Sequence, residues 1–468
     1  MRSVVLALAV IAAVVVAFLL TRRGPGATPP PAAPIVVSTA QPRTALRWMG
    51  HWLGEDQRET LVREMAREFA FLHPDIDVVL RFPAEIMGER SKRLTADLIV
   101  EQIAKERPEW DVVWIDDVIY QHVADRLGDP SWGGKHLVDF RTVPGFAEAH
   151  KPFILQDPTY AAQTGGILVG PYIEGQYIVL WQNRELASRL GLGTLPGQPH
   201  WSDLIALAEQ LRAARLAGRT DAWLLTESKD WLTTQYLFQS LVSSRFPDVA
   251  HAQSSDPDPA KRAAVREAVL AFAELGRHEP LRPGHRETLW IDTRRLPLDD
   301  QSLCFVAGTW MYSHWRGLDA ARMARMVPLR LPGFAPVDHA IGGYIPTWGV
   351  LAKAPGREAG IALLRHWCSA DVAERWVAYT KNPTGLRGDL ANVALSKDPF
   401  DRFMIAMERS TGSRIGRASS PAYALGTAGE NQSDAFHEVL RGLLAAELSA
   451  EEGWQRICAL AGWEPAQP

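Results

Sequence analysis

Two short stretches carry groups suited to holding a ligand. LRWMGHWLGE (46–55) stops an apolar run at Gly50 and follows it with His51 and Trp52, just where a helix is about to begin. DVVWIDDVIY (111–120) ends a second apolar run on Asp116 and Asp117. Junctions of this kind are ordinarily dressed with Gly, Ser or Asp, so a large flat ring stands out. An indole covers the apolar C–H face of a sugar ring and offers one donor, while carboxylates accept hydrogen bonds from hydroxyls. The chain has 17 Trp against 9 Tyr, a surplus that a core alone does not call for.

The same residues have plainer uses. A Trp at a strand end also serves as core, and one of Asp116 and Asp117 is expected to cap the following helix. A glycosidase use of the aspartate pair has weak footing. Adjacent strand residues face opposite ways, whereas an acid and a base must sit about 5 to 10 Å apart across a substrate. No G-x-S-x-G, H-E-x-x-H or G-x-G-x-x-G motif occurs, so no catalytic residue and no cofactor is expected. Cys304, Cys368 and Cys458 are far apart without C-x-x-C spacing; buried free thiols are expected, and no metal site. A net charge of -4 and the lack of a basic stripe argue against a nucleic-acid partner.

Elements must aim these groups. TALRWM (44–49) reads as a strand, and 55–72 places Leu61, Met65, Phe69 and Leu72 at helical spacing. HPDIDVVLRFP sets Ile76, Val78 and Leu80 on one face of a second strand; 91–106 reads as a second helix and 111–116 as a third strand. This β-α-β-α-β order gives a parallel sheet with helices on both sides. The loops after its strands form a crevice, and helix N-termini bring partial positive charge there. His51, Trp52, Asp116 and Asp117 would then share one edge. Farther on, 165–183 holds two apolar runs broken at Gly170-Pro171, and Tyr172, Glu174 and Gln176 alternate onto one face. Helices are expected from Trp201, over Trp231–Ser243 and over Ala260–Leu275. CFVAGTWMYSHW (304–315) reads as strand, turn and helix, MVPLRLPG as a strand, and GGYIPTWGVLAK (342–353) as a strand broken by Pro346.

Val4 to Leu20 is an unbroken apolar run, about 25 Å long as a helix, which just crosses a hydrocarbon core. Thr21-Arg22-Arg23 follows with no A-x-A and no cysteine for lipid attachment, which favours a retained anchor over a removed signal peptide. GPGATPPPAAP (24–34) favours polyproline II and reads as a spacer within a linker over 24–43.

WDVVWIDD (110–117), GPYIEGQYIVLWQNRELASRLGLGTLPGQPHWSDLIALAEQL, FVAGTWMYSHWRG and GGYIPTWGVLAKAPGREAGIALLRHWCSADVAERW occur in an order that resembles bacterial extracellular solute-binding proteins of the family that includes maltose-binding protein. The resemblance runs from about 45 to 450. It implies an α/β periplasmic-binding-protein fold of two lobes, each a mostly parallel sheet flanked by helices, with a ligand cleft between them that closes by a hinge. Lobe one would be 44–170 with roughly 350–395, and lobe two 171–345 with roughly 396–468. It also implies ligand contacts from His51, Trp52, Asp116 and Asp117 in lobe one, and from Tyr172, Glu174 and Gln176 at the first crossing. Lobe two would add Glu227, Lys229, Trp231, Trp310 and Trp315, and the second crossing Tyr344 and Trp348. The function so implied is capture of a sugar or oligosaccharide and its delivery to the permease of an ABC importer, in the periplasm or at the outer face of the inner membrane. A second possibility keeps the binding fold and gives it a receptor kinase as partner, which a retained anchor would suit.

Overall fold

The computed structural model describes residues 43–54, 56–247, 258–336, 340–388, 399–411, 415–416 and 430–464. The apolar run 4–20 and the linker lie outside them. No helix among the described residues is long and apolar enough to cross a membrane.

The first sheet forms as the periodicity requires. β1 (Thr44–Met49) leads through α1 (Asp56–Leu72) to β2 (Ile76–Arg81), then through α2 (Lys92–Ala104) to β3 (Val112–Trp114) and α3 (Asp117–Leu127). Strand order is β2-β1-β3-β8; β1 pairs in parallel with both neighbours, and β8 (Trp348–Val350) closes the sheet antiparallel to β3. β3 stops at Trp114, two residues short of the expected end, because Asp116 turns to cap α3 by accepting from Ile119 N–H at 2.8 Å.

The second sheet is built around β4 (Glu174–Asn183). Of the two apolar runs expected there only the second is a strand; Leu168 instead lends its carbonyl to Phe140 N–H. β5 (Cys304–Gly308), β6 (Met326–Leu329) and β7 (Ala340–Ile345) all pair antiparallel to β4, and among the described residues only β9 (Ile415–Gly416) adds a parallel ladder, to β7. The expectation of a mostly parallel second sheet is therefore corrected. Trp223 and Leu225, which could have extended it, make only isolated parallel bridges to Ser302 and Leu281.

The break at Pro346 is where the chain changes sheets, with β7 on one side and β8 on the other. Glycine is required beside it: Gly342 has φ +147, and a Cβ there would meet the Gln176 carbonyl at 2.1 Å.

The two faces of β4 serve two cores. Tyr177, Val179 and Trp181 join a cluster that includes the first sheet, and Ile178 and Leu180 join a second. The second cluster is sealed by α4 (Trp201–Leu216), α5 (Gln235–Arg245), α6 (Pro259–Gly276), and, beyond α7 (Met311–Met323), α8 (Arg357–Trp367), α9 (Ala370–Thr380) and α10 (Pro399–Thr411), by α11 (Glu430–Leu444) and α12 (Ala450–Ala461). Phe400 of α10 stacks on Trp181 and Tyr312, at 5.7 and 4.2 Å. The three cysteines are free and buried.

Candidate functional site

The sequence-predicted residues fall into three neighbourhoods. At the carboxyl edge of the first sheet, His51 stacks on Trp114 at 4.3 Å and Trp52 lies 5.5 Å from Trp348. Trp48, Trp367 and Trp376 complete one buried tryptophan cluster around them. Trp52 takes φ +68, a left-handed conformation costing a bulky residue on the order of 1–2 kcal/mol, which the surrounding packing must hold. Burial, with Arg90, Arg58 and Lys92 nearby, lowers the His51 pKa well below the usual range, so its ring is neutral. Asp116 is spent twice, on the α3 cap and on Lys92 at 2.7 Å. Asp117 is buried in the first turn of α3.

The second neighbourhood is the start of β4. Glu174 is buried and pairs with Arg58 of α1 at 3.2 Å, and that guanidinium also lies over the rings of Trp52 and Trp376. An ion pair between two buried side chains thus ties α1 to the crossing strand. Gln176, two residues on, is half-buried. Tyr172 donates its N–H to His150 Nε2 at 3.3 Å, and its carbonyl accepts from Gly385 N–H at 2.9 Å. Tyr344 faces the Tyr177 hydroxyl at 3.3 Å, with Phe153 and Tyr160 against its ring. Segment 382–387 therefore packs against the residues that lead into β4.

The third neighbourhood is an aromatic platform. Trp231 lies 5.9 Å from Trp310 and nearly parallel to it, and 4.6 Å from Trp290 edge-on; all three are half-buried. Trp231 does not begin a helix as expected. Glu227 accepts from the N–H and hydroxyl of both Thr233 and Thr234, at 2.8 to 3.0 Å, which holds 227–234 as a loop and delays α5 to Gln235. Burial pushes the Glu227 carboxyl up to about 7, against the pull of those four donors. Lys229 N–H donates to Thr288 O, and Asp230 accepts from Trp290 N–H at 2.7 Å, so the loops carrying Trp231 and Trp290 are tied together. The Lys229 side chain itself is exposed.

Register joins the last two neighbourhoods. Ile178 pairs with Gly308, and Thr309 N–H donates to Tyr177 O, which sets Trp310 level with Gln176. Gly308 makes room for the ring: a Cβ there would come within 1.6 Å of Trp310. Gln176, on the same face of β4 as Glu174, is thus level with Trp310 of the aromatic platform.

Trp315 and Trp348 are wholly buried, as Trp52, Tyr172 and Tyr344 very nearly are. Trp315 is wholly buried against Trp181 at 5.2 Å and donates its indole N–H to Arg294 O at 2.6 Å. Trp348 is wholly buried between Trp48, Trp52 and Trp367. An indole with several ring partners gains more from burial than from a cleft wall. Sequence reasoning missed Arg58 and Trp290. Nothing separates Arg58 from the solvated arginines of a first helical turn, and Trp290 lies in a short segment, ETLWIDT, without periodicity. Among the described residues no group of three His, Cys, Asp or Glu could hold a metal.

No family model matches this chain, and no curated protein matches it. Solved structures do. Maltose-bound MalE3 of T. maritima is 15% identical, with TM-score 0.64 over 90% of this chain and 99% of that one. The GacH receptor of Streptomyces glaucescens, solved unliganded and with acarbose, is 15% identical, with TM-score 0.65 over 90% and 100%. A Listeria monocytogenes ABC substrate-binding protein in complex with cycloalternan is 13% identical, with TM-score 0.63 over 90% and 100%. The fold is that of the two-lobed periplasmic-binding proteins.

Proposed function

We propose that the chain is a solute-binding protein that captures a sugar or oligosaccharide between two lobes, without catalysis, and passes it to an ABC permease. The observation that carries this reading is the half-buried, mutually packed set Trp231, Trp290 and Trp310, whose Trp310 is level with Gln176 of β4. Indoles take the C–H faces of sugar rings, and carboxylates and amides take hydroxyls. Maltose, acarbose and cycloalternan in the structures of similar fold are consistent with that chemistry. In this reading lobe one is 44–170 with roughly 350–395, lobe two is 171–345 with roughly 396–468, and His51, Trp52, Asp116, Asp117, Tyr172 and Tyr344 line or back the cleft. Location outside the cytoplasm follows, with residues 4–20 as tether. That tether also favours a sensor, in which the partner is a receptor kinase.

A thermal-shift screen against mono- and oligosaccharides tests the proposal. A ligand at a hundred times its Kd adds about 2.7 kcal/mol of stability. Trp231→Ala should weaken the best ligand about tenfold, since one aromatic contact is worth on the order of 1 kcal/mol. Silence toward every carbohydrate, with a shift from an amino acid or peptide, would overturn the substrate class.

A further inference from the structure

The first sheet has a face that the proposed cleft does not use. In β1, Leu46 and Trp48 point into the buried cluster, so Ala45 and Arg47 point the other way. Parallel register sets Arg47 opposite Val79 and Met49 opposite Arg81. This face is not sealed: Arg47 and Arg81 are exposed, and Val79 is 38% exposed. A pocket of about 620 Å³ opens there, with Val79, Trp110 and Pro355 in its wall and Arg47, Arg81 and Arg107 around it. The lining runs along this face from Thr44, at the start of β1, to Arg81, at the end of β2.

We propose that this pocket binds an organic phosphate, independently of the sugar cleft. Three guanidinium groups come to it from three places: β1, the end of β2, and the loop before β3. Guanidinium forks match phosphate oxygens two at a time. Among the described residues, the side chains of Arg47 and Arg107 make no ion pair or hydrogen bond, and Arg81 gives one N–H to Glu85 O at 2.8 Å. Arg63, Arg126 and Arg245, on other parts of the surface, each hold a carboxylate. Glu109, the one acid in the lining, is paired with Lys105 at 2.9 Å. The lining therefore keeps three like charges together with one committed counter-charge, an arrangement that an anion relieves. Val79, Pro355 and the Trp110 ring supply an apolar wall, which favours an ester over the bare inorganic ion. A soluble phosphate ester and the phosphate of a lipid headgroup offer the same chemistry.

The test uses the whole protein, with phenyl phosphate in calorimetric titration at low salt and flotation with phosphatidylglycerol or phosphatidylcholine vesicles. Phenyl phosphate should bind, and Arg47→Gln and Arg107→Gln should each weaken it about tenfold, the worth of one charge-assisted contact. Arg107 lies in a loop, so its variant separates lost binding from lost folding; unchanged circular dichroism and melting confirm this. Vesicle binding that needs phosphatidylglycerol and is lost in Arg107→Gln, without binding of phenyl phosphate, supports the site and assigns the phosphate to a lipid. Binding of neither probe, or equal binding by Arg107→Gln, overturns the proposal.

Discussion

Arg58 shows how one side chain can decide what the site is. It is buried, pairs with the buried Glu174 and lies over two indoles, so it links the first helix, the tryptophan cluster and the crossing strand. Removing one member of a buried pair leaves a charge that neither water nor protein satisfies. Arg58→Met should therefore cost about 3 kcal/mol or more in denaturant unfolding, and Arg58→Met with Glu174→Leu should recover much of it. A loss below about 1 kcal/mol would mean the pair is solvated and is no clasp. The sequence could not announce this. Glu174 was legible because it alternates with Gln176 on an apolar strand, but its partner is 116 residues away. Trp52 was legible as a ring out of place; that it is buried, at φ +68, was not, because periodicity says nothing of a single dihedral.

At the scale of elements, the loop 227–234 and the turn at Gly308 determine whether the aromatic platform exists. The Glu227 carboxyl is raised from 4.5 to about 7 by burial. A raised acid contributes stability that is fully present below its unfolded pKa and is lost as pH rises through the folded one. The melting temperature of the wild type minus that of Glu227→Gln should therefore fall between about pH 4.5 and 7. A flat difference would show that the four donors already hold the group ionised. Gly308→Ala tests the turn. A methyl 1.6 Å from the Trp310 ring must push it aside, so sugar affinity should drop about tenfold with the fold intact. Full affinity would remove Trp310 from the platform. β1, α1, β2 and α2 were legible because their apolar residues repeat at periods of 2 and 3.6, and β3 because its unbroken apolar run between carboxylates suits a strand covered on both faces. The first four residues of the helix expected over Trp231–Ser243 are loop: Trp231 and Leu232 fit a helical pattern, but the hydrogen bonds of Glu227 override it. β9 is two residues long and carries no pattern at all.

For the molecule as a whole, β4 matters most. A two-lobed protein joined by thin connections can unfold one lobe at a time. Here one face of β4, through Tyr177, Val179 and Trp181, belongs to the same apolar cluster as Trp48 and Trp348 of the first sheet, while Ile178 and Leu180 belong to the other. Neither core can be lost without exposing a face of the strand that supports the other, and the Arg58–Glu174 pair and the Thr309–Asn382 hydrogen bond, 2.9 Å, add polar links across the same boundary. Calorimetry should accordingly give a single transition whose van't Hoff and calorimetric enthalpies agree. Phe272, wholly buried in the second cluster, provides the sharper form of the test. Phe272→Ala should cost about 3 to 5 kcal/mol and shift the entire transition to lower temperature. A separate early peak, with the tryptophan fluorescence of the first cluster unchanged, would show that the two cores melt independently and that β4 is a hinge without being a shared wall.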